Sequence, residues 1–228
     1  MPHAALDYRQ DAGHELSSTW YACICYARDG QSDLLGLARS SSRTNRMNSS
    51  FTPTQKAELP VWLRQDMRSN HAGETGAVYI YRGILSVSKD EQVRTFAREH
   101  LTTEENHLEL ISNELPVCHQ SVFLPLWKLA GYLTGAIPSL FGSDAVYGTI
   151  DAVETFVGEH YLEQIDRLQA EASYPELRTL LEKCRDDEID HRDEARDAQG
   201  TGSSPFLRGW CWLVGKGSKY AVKLARWR

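Results

Sequence analysis

The sequence lacks several features that mark other classes of protein. Its five cysteines show none of the paired spacings of zinc sites, and their odd number argues against a disulfide framework. No segment alternates apolar and polar residues over a useful strand length, and no Gly-x-Gly-x-x-Gly fingerprint is present. We therefore expect a reducing, intracellular location, an all-α fold and no Rossmann nucleotide site.

A long uninterrupted apolar run is also missing. The most apolar segment, residues 123–142, is broken by Pro125, Gly131, Gly135 and Pro138. These residues argue against a membrane-spanning helix, because such a helix needs about 20 consecutive apolar residues. We predict instead a crossover segment that connects the two halves of a helical bundle.

The first 46 residues differ from the rest of the chain. Asp7, Asp11 and Glu15 interrupt any basic start and no long apolar core follows, so the segment resembles neither a signal peptide nor a clean transit peptide. A serine- and arginine-rich stretch, residues 39–46, has the composition of a linker. We expect residues 1–50 to be a flexible extension, and the first 46 residues, before Met47, to be dispensable or to reflect a misassigned start.

The last 24 residues have a charge unlike that of the body. The whole chain carries a net charge of -6, yet residues 205–228 contain six basic residues and no acidic one. Four large aromatic residues lie among these cations: Trp210, Trp212, Tyr220 and Trp227. This composition predicts an amphipathic helix over residues 203–228 that lies on an anionic membrane surface. The alternatives are that it binds a partner or folds back on the acidic body.

The most informative feature is a pattern of Glu and His that occurs twice. In each copy a lone Glu precedes a Glu-x-x-His pair. The residues are Glu74, Glu104 and His107 in the first copy and Glu154, Glu188 and His191 in the second. A tyrosine follows each lone Glu after seven residues, at Tyr81 and Tyr161. Seven residues are about two helical turns, so each Glu shares a helix face with its Tyr.

This pattern fits a site for two metal ions. Residues three apart are neighbours on a helix, so the Glu and His of each pair can bind one ion. The lone glutamates, on two other helices, can bridge or close the site. Carboxylate with imidazole, without thiolate, suits iron or manganese. The arrangement is that of the ferritin-like dimetal carboxylate bundles. We therefore predict a ferritin-like antiparallel four-helix bundle over residues 54–200.

Simpler explanations exist for parts of the pattern. A single Glu-x-x-His is weak evidence because both residues are common on solvated helix faces, and a metal-free helical adaptor would make the repeat accidental.

Helix starts are indicated by two capping boxes, Ser88-x-x-Glu91 and Ser173-x-x-Glu176.

Four stretches resemble the demethoxyubiquinone hydroxylase family of ubiquinone biosynthesis. They are Arg68-Ser-Asn-His71-Ala-Gly-Glu74, Glu104-Glu-Asn-His107, Val153-Glu154 through His160-Tyr161, and Asp187-Glu188-Ile-Asp-His191. The resemblance runs from about residue 60 to the C-terminus, and the combination of motifs is specific. Ser69 departs from the family pattern, which has an aliphatic residue there.

The resemblance implies a di-iron monooxygenase that hydroxylates the ring of demethoxyubiquinol with dioxygen. It places the ligands of two Fe²⁺ ions on Glu74, Glu104, His107, Glu154, Glu188 and His191. It matches His160 and Tyr161 to a His-Tyr pair near the iron that is proposed to assist electron or proton transfer. It also suggests reduction from NADH, without a tightly bound nucleotide.

The resemblance further implies a place in the cell and a set of partners. The protein would be peripheral on the cytoplasmic face of a bacterial inner membrane, or on the matrix face of the mitochondrial one. We expect a homo-oligomer that contacts other ubiquinone-biosynthesis proteins and binds no nucleic acid, since a tRNA-modifying hydroxylase would need a basic groove.

Four further residues lie near the candidate ligands in the sequence. Asp187 is expected to hydrogen-bond a ligand histidine, although it could be one more charge on a solvated face. We expect Tyr81 to pack in the core, and His71 and His100 to be structural or exposed.

The rival functions are a ferroxidase and a rubrerythrin-like peroxide scavenger. The basic aromatic tail fits a storage shell poorly, and no Cys-x-x-Cys rubredoxin module is present.

Overall fold

The computed structural model describes residues 59–200 and 204–227, which form helices and no strand. The helices are α1 (Val61–Val87), α2 (Glu91–Glu114), α3 (Leu124–Ser139), α4 (Ser143–Ala170), α5 (Pro175–Ala198) and α6 (Pro205–Trp227), with a short 3-10 turn at Val117–His119. The all-α prediction is confirmed. The predicted extension over residues 1–50, and the start of the predicted bundle at residue 54, lie outside the described residues.

Four long helices carry the repeated Glu and His pattern. Helix α1 packs on α2, and α4 packs on α5. Each pair is joined by a short loop, which makes its two helices antiparallel. One apolar cluster centres on Tyr81, Phe96 and Ile150, and a second contains Tyr161 and Leu181. The polar residues of the pattern lie where the two clusters meet.

Both predicted capping boxes are wrong. Helix α2 is capped by Asp90, whose carboxylate accepts bonds from two backbone N–H groups of the first turn at 2.9 and 3.3 Å. The Ser88 hydroxyl accepts instead from the N–H of Asp90, at 3.3 Å. Helix α5 begins after Tyr174, a left-handed residue with a φ of 49° and no side-chain cap. Pro175 occupies the first helical position, where its fixed φ suits the helix and no N–H is needed.

The predicted crossover is helix α3, and it packs very closely against α1. A Cβ atom added at Gly131 would collide with the carbonyl of Gly76, and one added at Gly135 would collide with the carbonyl of Ile80. Because glycine has no side chain, the two backbones can approach to this degree. Helix α3 therefore lies against α1 as a fixed wall.

The predicted C-terminal helix is α6, and it packs on α1 and α4. Near its start, the Trp210 Nε1–H donates to Thr149 Oγ1 at 2.9 Å. Near its end, Arg226 Nε lies 2.8 Å from Asp66 Oδ1. Among the described helices, none is both long and apolar enough to cross a membrane.

Candidate metal centre

The structure brings the six residues of the repeated pattern together from four helices. Each of them is buried. Their ligand atoms form two overlapping groups of four, and within each group the atoms lie within 4.8 Å of one another. The first group is Glu74, Glu104, His107 and Glu188, and the second is Glu104, Glu154, Glu188 and His191.

The overlap of the two groups shows which carboxylates belong to both groups and which belong to only one. Glu104 and Glu188 belong to both groups, whereas Glu74 and Glu154 each belong to one. The carboxylates that two ions could share therefore come from the Glu-x-x-His pairs. The sequence left open whether the lone glutamates bridge or close the site, and their positions favour closing its two ends.

Each histidine also faces the shared carboxylate of the opposite half. His107 Nδ1 lies 3.3 Å from Glu188 Oε1, and His191 Nδ1 lies 3.2 Å from Glu104 Oε1. Neither nitrogen has hydrogen-bond geometry, and seven buried atoms of the six residues lack a hydrogen-bond partner within the described part of the chain. Buried polar atoms are normally paired. Converging unpaired oxygen and nitrogen atoms are the donor set that two divalent cations require, so these residues fit such a centre.

The charges of the site support the same interpretation. Burial, followed by the charge of Glu104, raises the pKa of Glu74 to about 8 and the pKa of Glu154 to about 7. The same two causes raise the pKa of Glu188. Burial alone would raise the pKa of Glu104, but the two neighbouring histidines lower it to about 2. Four buried carboxylates cannot all ionise without compensation, and two divalent ions would provide it.

We expect the metal-free protein to lose stability as the pH rises from about 4.5 to about 8. The pKa values of Glu74 and Glu154 are raised from 4.5 to about 8 and about 7, so in this range the folded state retains protons that the unfolded chain has released, and the stability they contribute is lost by the time the pH has risen through these folded-state values. The pKa of His107, raised to about 10 by its carboxylate neighbours against the effect of burial, acts in the same direction.

Thermal unfolding of chelator-treated protein would test this expectation. The midpoint should fall across that pH range, and saturating Mn²⁺ should reverse the trend because the metal replaces the protons. A metal-free midpoint that rises with pH would contradict the prediction.

Two tyrosines hydrogen-bond the lone glutamates, and each does so across the two halves. The Tyr161 hydroxyl donates to Glu74 Oε1, and the Tyr81 hydroxyl donates to Glu154 Oε1 at 3.1 Å. Burial raises the pKa of both tyrosines. The expectation that Tyr81 only packs missed this contact. The equal seven-residue offset from Glu to Tyr was the signal available in the sequence.

His100 also adjoins the site, which sequence reasoning missed. Its Nδ1 lies 3.3 Å from the Tyr81 hydroxyl, and its Nε2 lies 2.9 Å from Glu194 Oε2. Its ring stacks on that of His191 with 4.0 Å between centroids. His100 is one helical turn before Glu104 on α2, so its place on the inner face could have been anticipated.

Asp187 contacts one of the six candidate ligands. Its Oδ2 lies 2.9 Å from His107 Nε2 and accepts a second bond from Lys183 Nζ at 3.1 Å. The contact leaves His107 Nδ1 directed at the carboxylates. Asp187 therefore fixes the ring of the histidine in the other half, rather than that of His191 on its own helix.

Replacing Asp187 with Asn should weaken metal binding by about 10- to 100-fold, because partners of this kind orient metal-binding imidazoles. Competition against a chelating dye would measure the affinity. Asp186→Asn is the matched control, since Asp186 is the adjacent carboxylate and its side chain is 74 % exposed. Equal affinities for the two variants would show that Asp187 does not act through His107.

His160 and His71 lie outside the two groups of candidate ligands. The His160 Nε2 lies 3.0 Å from Ser69 Oγ, and the His160 ring stacks on that of Phe156. Ser69 donates its single hydroxyl proton to the Asp66 carbonyl, so His160 Nε2 is the donor in their bond. Burial lowers the pKa of both histidines to about 4. Tyr161 thus reaches the centre directly, whereas the ring of its neighbour His160 faces Ser69.

An apolar cavity of about 530 Å³ reaches the centre between α3 and α6. Glu74, Glu154 and Glu188 line it together with Ser69 and apolar side chains. The apolar part of the lining includes Ala72, Ala77, Trp127, Val153, Leu213 and Ala221. The cavity has the size and apolar character of a small-molecule site.

Comparison with known proteins identifies the family. Residues 62–225 match the family described as "Ubiquinone biosynthesis protein COQ7". The chain is 30% identical over 174 residues to the "NADPH-dependent 3-demethoxyubiquinone 3-hydroxylase, mitochondrial" of Caenorhabditis elegans, covering 74% of this chain and 92% of that protein. It is 31% identical over 197 residues to the "3-demethoxyubiquinol 3-hydroxylase" of Rhodospirillum rubrum, covering 83% and 88%. The mouse protein, named as in the nematode, is 35% identical over 136 residues, covering 58% and 62%. The chain therefore belongs to the COQ7 family of ubiquinone biosynthesis proteins.

Proposed function

We propose that this protein is a di-iron monooxygenase that uses dioxygen to hydroxylate the ring of demethoxyubiquinol. The observation that carries the proposal is the position of two overlapping Glu and His groups at the inner end of an apolar cavity. The relatives named 3-demethoxyubiquinol 3-hydroxylase support the choice of substrate and reaction.

The six residues of the repeated pattern would hold two irons, with Glu104 and Glu188 shared between them. When bound, the ferrous pair supplies the electrons that activate dioxygen. Iron rather than manganese is part of the proposal, because carboxylate and imidazole ligands accept both metals. The reductant would be a nicotinamide nucleotide, and the names of several relatives specify NADPH where the resemblance had suggested NADH.

The surrounding residues position the reactants. The apolar walls of the cavity exclude water and hold the quinol ring against the carboxylate end. Tyr161 holds a proton at Glu74 Oε1, and Tyr81 holds one at Glu154 Oε1. These bonds determine which oxygen of each lone glutamate remains for the metal. We assign Tyr161 to electron or proton transfer at the centre, and His160 to a supporting role through Ser69 in the cavity wall.

The surface around the cavity supports attachment to a membrane. Helices α3 and α6 expose large apolar side chains, including Leu129 at 56 % and Trp212 at 65 %. Helix α6 adds the cations Lys216, Lys219 and Lys223. We propose that this face lies on an anionic inner membrane, in the cytoplasm of a bacterium or in the mitochondrial matrix, and takes substrate from it. Self-association and contacts with other ubiquinone-biosynthesis proteins remain predictions.

A direct assay would test the function. Protein loaded anaerobically with Fe²⁺ is analysed for metal per chain, then mixed with dioxygen, NADPH and a short-chain demethoxyubiquinol, and the product is identified by mass spectrometry. Two irons and a ring-hydroxylated product are expected. Iron oxidation without product would favour a ferroxidase, and absence of bound metal would overturn the proposal.

A paired variant would link the product to the cavity. Gly217 lines the cavity on α6, and a Cβ atom added there meets nothing within 4 Å. Gly217→Phe should therefore fill the cavity, retaining two irons while losing the product. Gly209→Phe is the control, because Gly209 has equally open surroundings on the same helix and does not line the cavity.

A further inference from the structure

A second cavity, of about 290 Å³, continues the groove between α3 and α6. On α3, the residues lining the first cavity include Trp127, Gly131 and Thr134, and Pro138 lines the second. These positions are three or four residues apart and lie on one helical face. The same face of α3 therefore lines both cavities.

Helix α6 provides the opposite wall in the same way. Its lining residues Ala221, Gly217 and Val214 belong to the first cavity, and Leu207 belongs to the second. Their spacing again follows one helical face. The groove is thus bounded by two helices over its whole length.

The ends of the groove show how the two helices run. Trp127 near the start of α3 packs with Ala225 near the end of α6. At the other end, the ring of Phe141 lies 5.4 Å from that of Phe206. The two helices are therefore antiparallel, and the second cavity lies at the end of the groove marked by these phenylalanines.

Trp210 separates the two cavities, and within the described residues it alone lines both. Its indole N–H donates to Thr149 Oγ1 at 2.9 Å. Thr149 gives its own proton to the carbonyl of Ala145 at 2.6 Å, so it can only accept from Trp210. A single hydrogen bond from the ring therefore holds a half-buried indole across the groove.

The larger part of the second cavity's lining is apolar, and Ser204 and Asp144 are its polar members. Ile137, Pro138, Ala145 and Leu207 supply apolar walls. Asp144 is an acidic member of the lining, and its carboxylate accepts a bond from the N–H of Gly200 at 3.1 Å. Phe141 and Phe206 are 61 % and 63 % exposed, so the cavity reaches the surface between two aromatic rings.

We propose that the second cavity binds the distal isoprene units of the substrate's tail, which passes Trp210 when the indole turns aside. The inference rests on the proposed function, because a ring held at the carboxylates must direct its tail along the groove. The apolar walls continue past Trp210 toward Phe141 and Phe206. Residues beyond Trp210 would then determine how long a tail the enzyme accepts.

Filling the second cavity should affect long-tailed substrates alone. Ala145→Phe and, from the other wall, Ile137→Trp place bulk at residues that line the second cavity and not the first. Ala170→Phe is the control at the exposed far end of α4. Substrates with a single isoprene unit should be turned over as by the unmodified protein. For tails of several units, kcat/KM should fall roughly tenfold or more, because buried methylene contacts are lost.

A labelling experiment separates this inference from the proposed function. A long-tailed ubiquinone analogue with a diazirine at its tail end should label peptides containing Phe141 or Phe206 and should fail to do so in Ala145→Phe. Labelling needs no turnover, so it decides the position of the tail even if the unmodified protein forms no product. Equal losses for short and long tails would overturn the inference. The inference would also be overturned if Ala145→Phe were labelled as strongly as the unmodified protein. It would be overturned as well if a fatty-acid diazirine labelled the same peptides and long-tailed ubiquinone could not displace it.

Discussion

Replacing Glu104 with Gln should prevent binding of both proposed metal ions and lower the proposed hydroxylation by roughly a thousandfold or more, since that reaction would depend on the bound metal. Glu104 belongs to both groups of candidate ligands and is fully buried, so no outside group can replace its lost charge. Glu74→Gln alters one group, and about one ion per chain should remain. Metal analysis of the purified variants distinguishes the two cases.

Glu105→Gln provides the matched control for that experiment. Glu105 follows Glu104 on the same helix, but its side chain is 51 % exposed and pairs with Arg82 at 2.8 Å. We expect the unmodified metal content and activity for this control. Similar metal loss in Glu104→Gln and Glu74→Gln would show that the shared position of Glu104 has no special importance.

Replacing Gly135 with Ala should destabilise the protein by about 3 kcal/mol, at the upper end of the usual cost of overpacking. The added Cβ atom would collide with the carbonyl of Ile80, which is backbone and cannot rotate away. Relief requires α3 to move away from α1, and this movement would also displace one wall of the cavity. Gly131→Ala should behave similarly, because its Cβ atom would meet the carbonyl of Gly76.

Urea unfolding would measure these changes, with Gly209→Ala as the control. A Cβ atom at Gly209 meets nothing within 4 Å, so this variant should gain up to about 1 kcal/mol from the better helix propensity of alanine. If Gly135→Ala were as stable as the unmodified protein, the close approach of α1 and α3 would have no energetic importance.

The repeated Glu and His pattern predicted the helical class and the six residues that meet, because helical periodicity and spacing are local properties of a sequence. The sharing of Glu104 and Glu188 could not be predicted in this way, since it depends on how four helices pack. The crossed bonds of Tyr81 and Tyr161 depend on the same packing.

The errors at the helix starts have a different origin. Ser88 and Asp90 both precede α2 and both can cap a helix, and the loop backbone selected Asp90. At α5, the left-handed backbone of Tyr174 replaces a side-chain cap altogether. Competition among nearby polar residues is resolved by loop conformation, which short sequence motifs describe poorly.

The crossed tyrosine bonds make the two halves of the bundle dependent on each other. The first half holds Glu154 through Tyr81, and the second half holds Glu74 through Tyr161. Each half also contributes one shared carboxylate and one histidine to the centre. A separated half would hold only three of the six ligands and would lack the hydroxyl that orients its own lone glutamate. If the protein binds iron as proposed, metal capture would therefore require that both halves have been synthesised and folded, and a truncated chain would not assemble the centre.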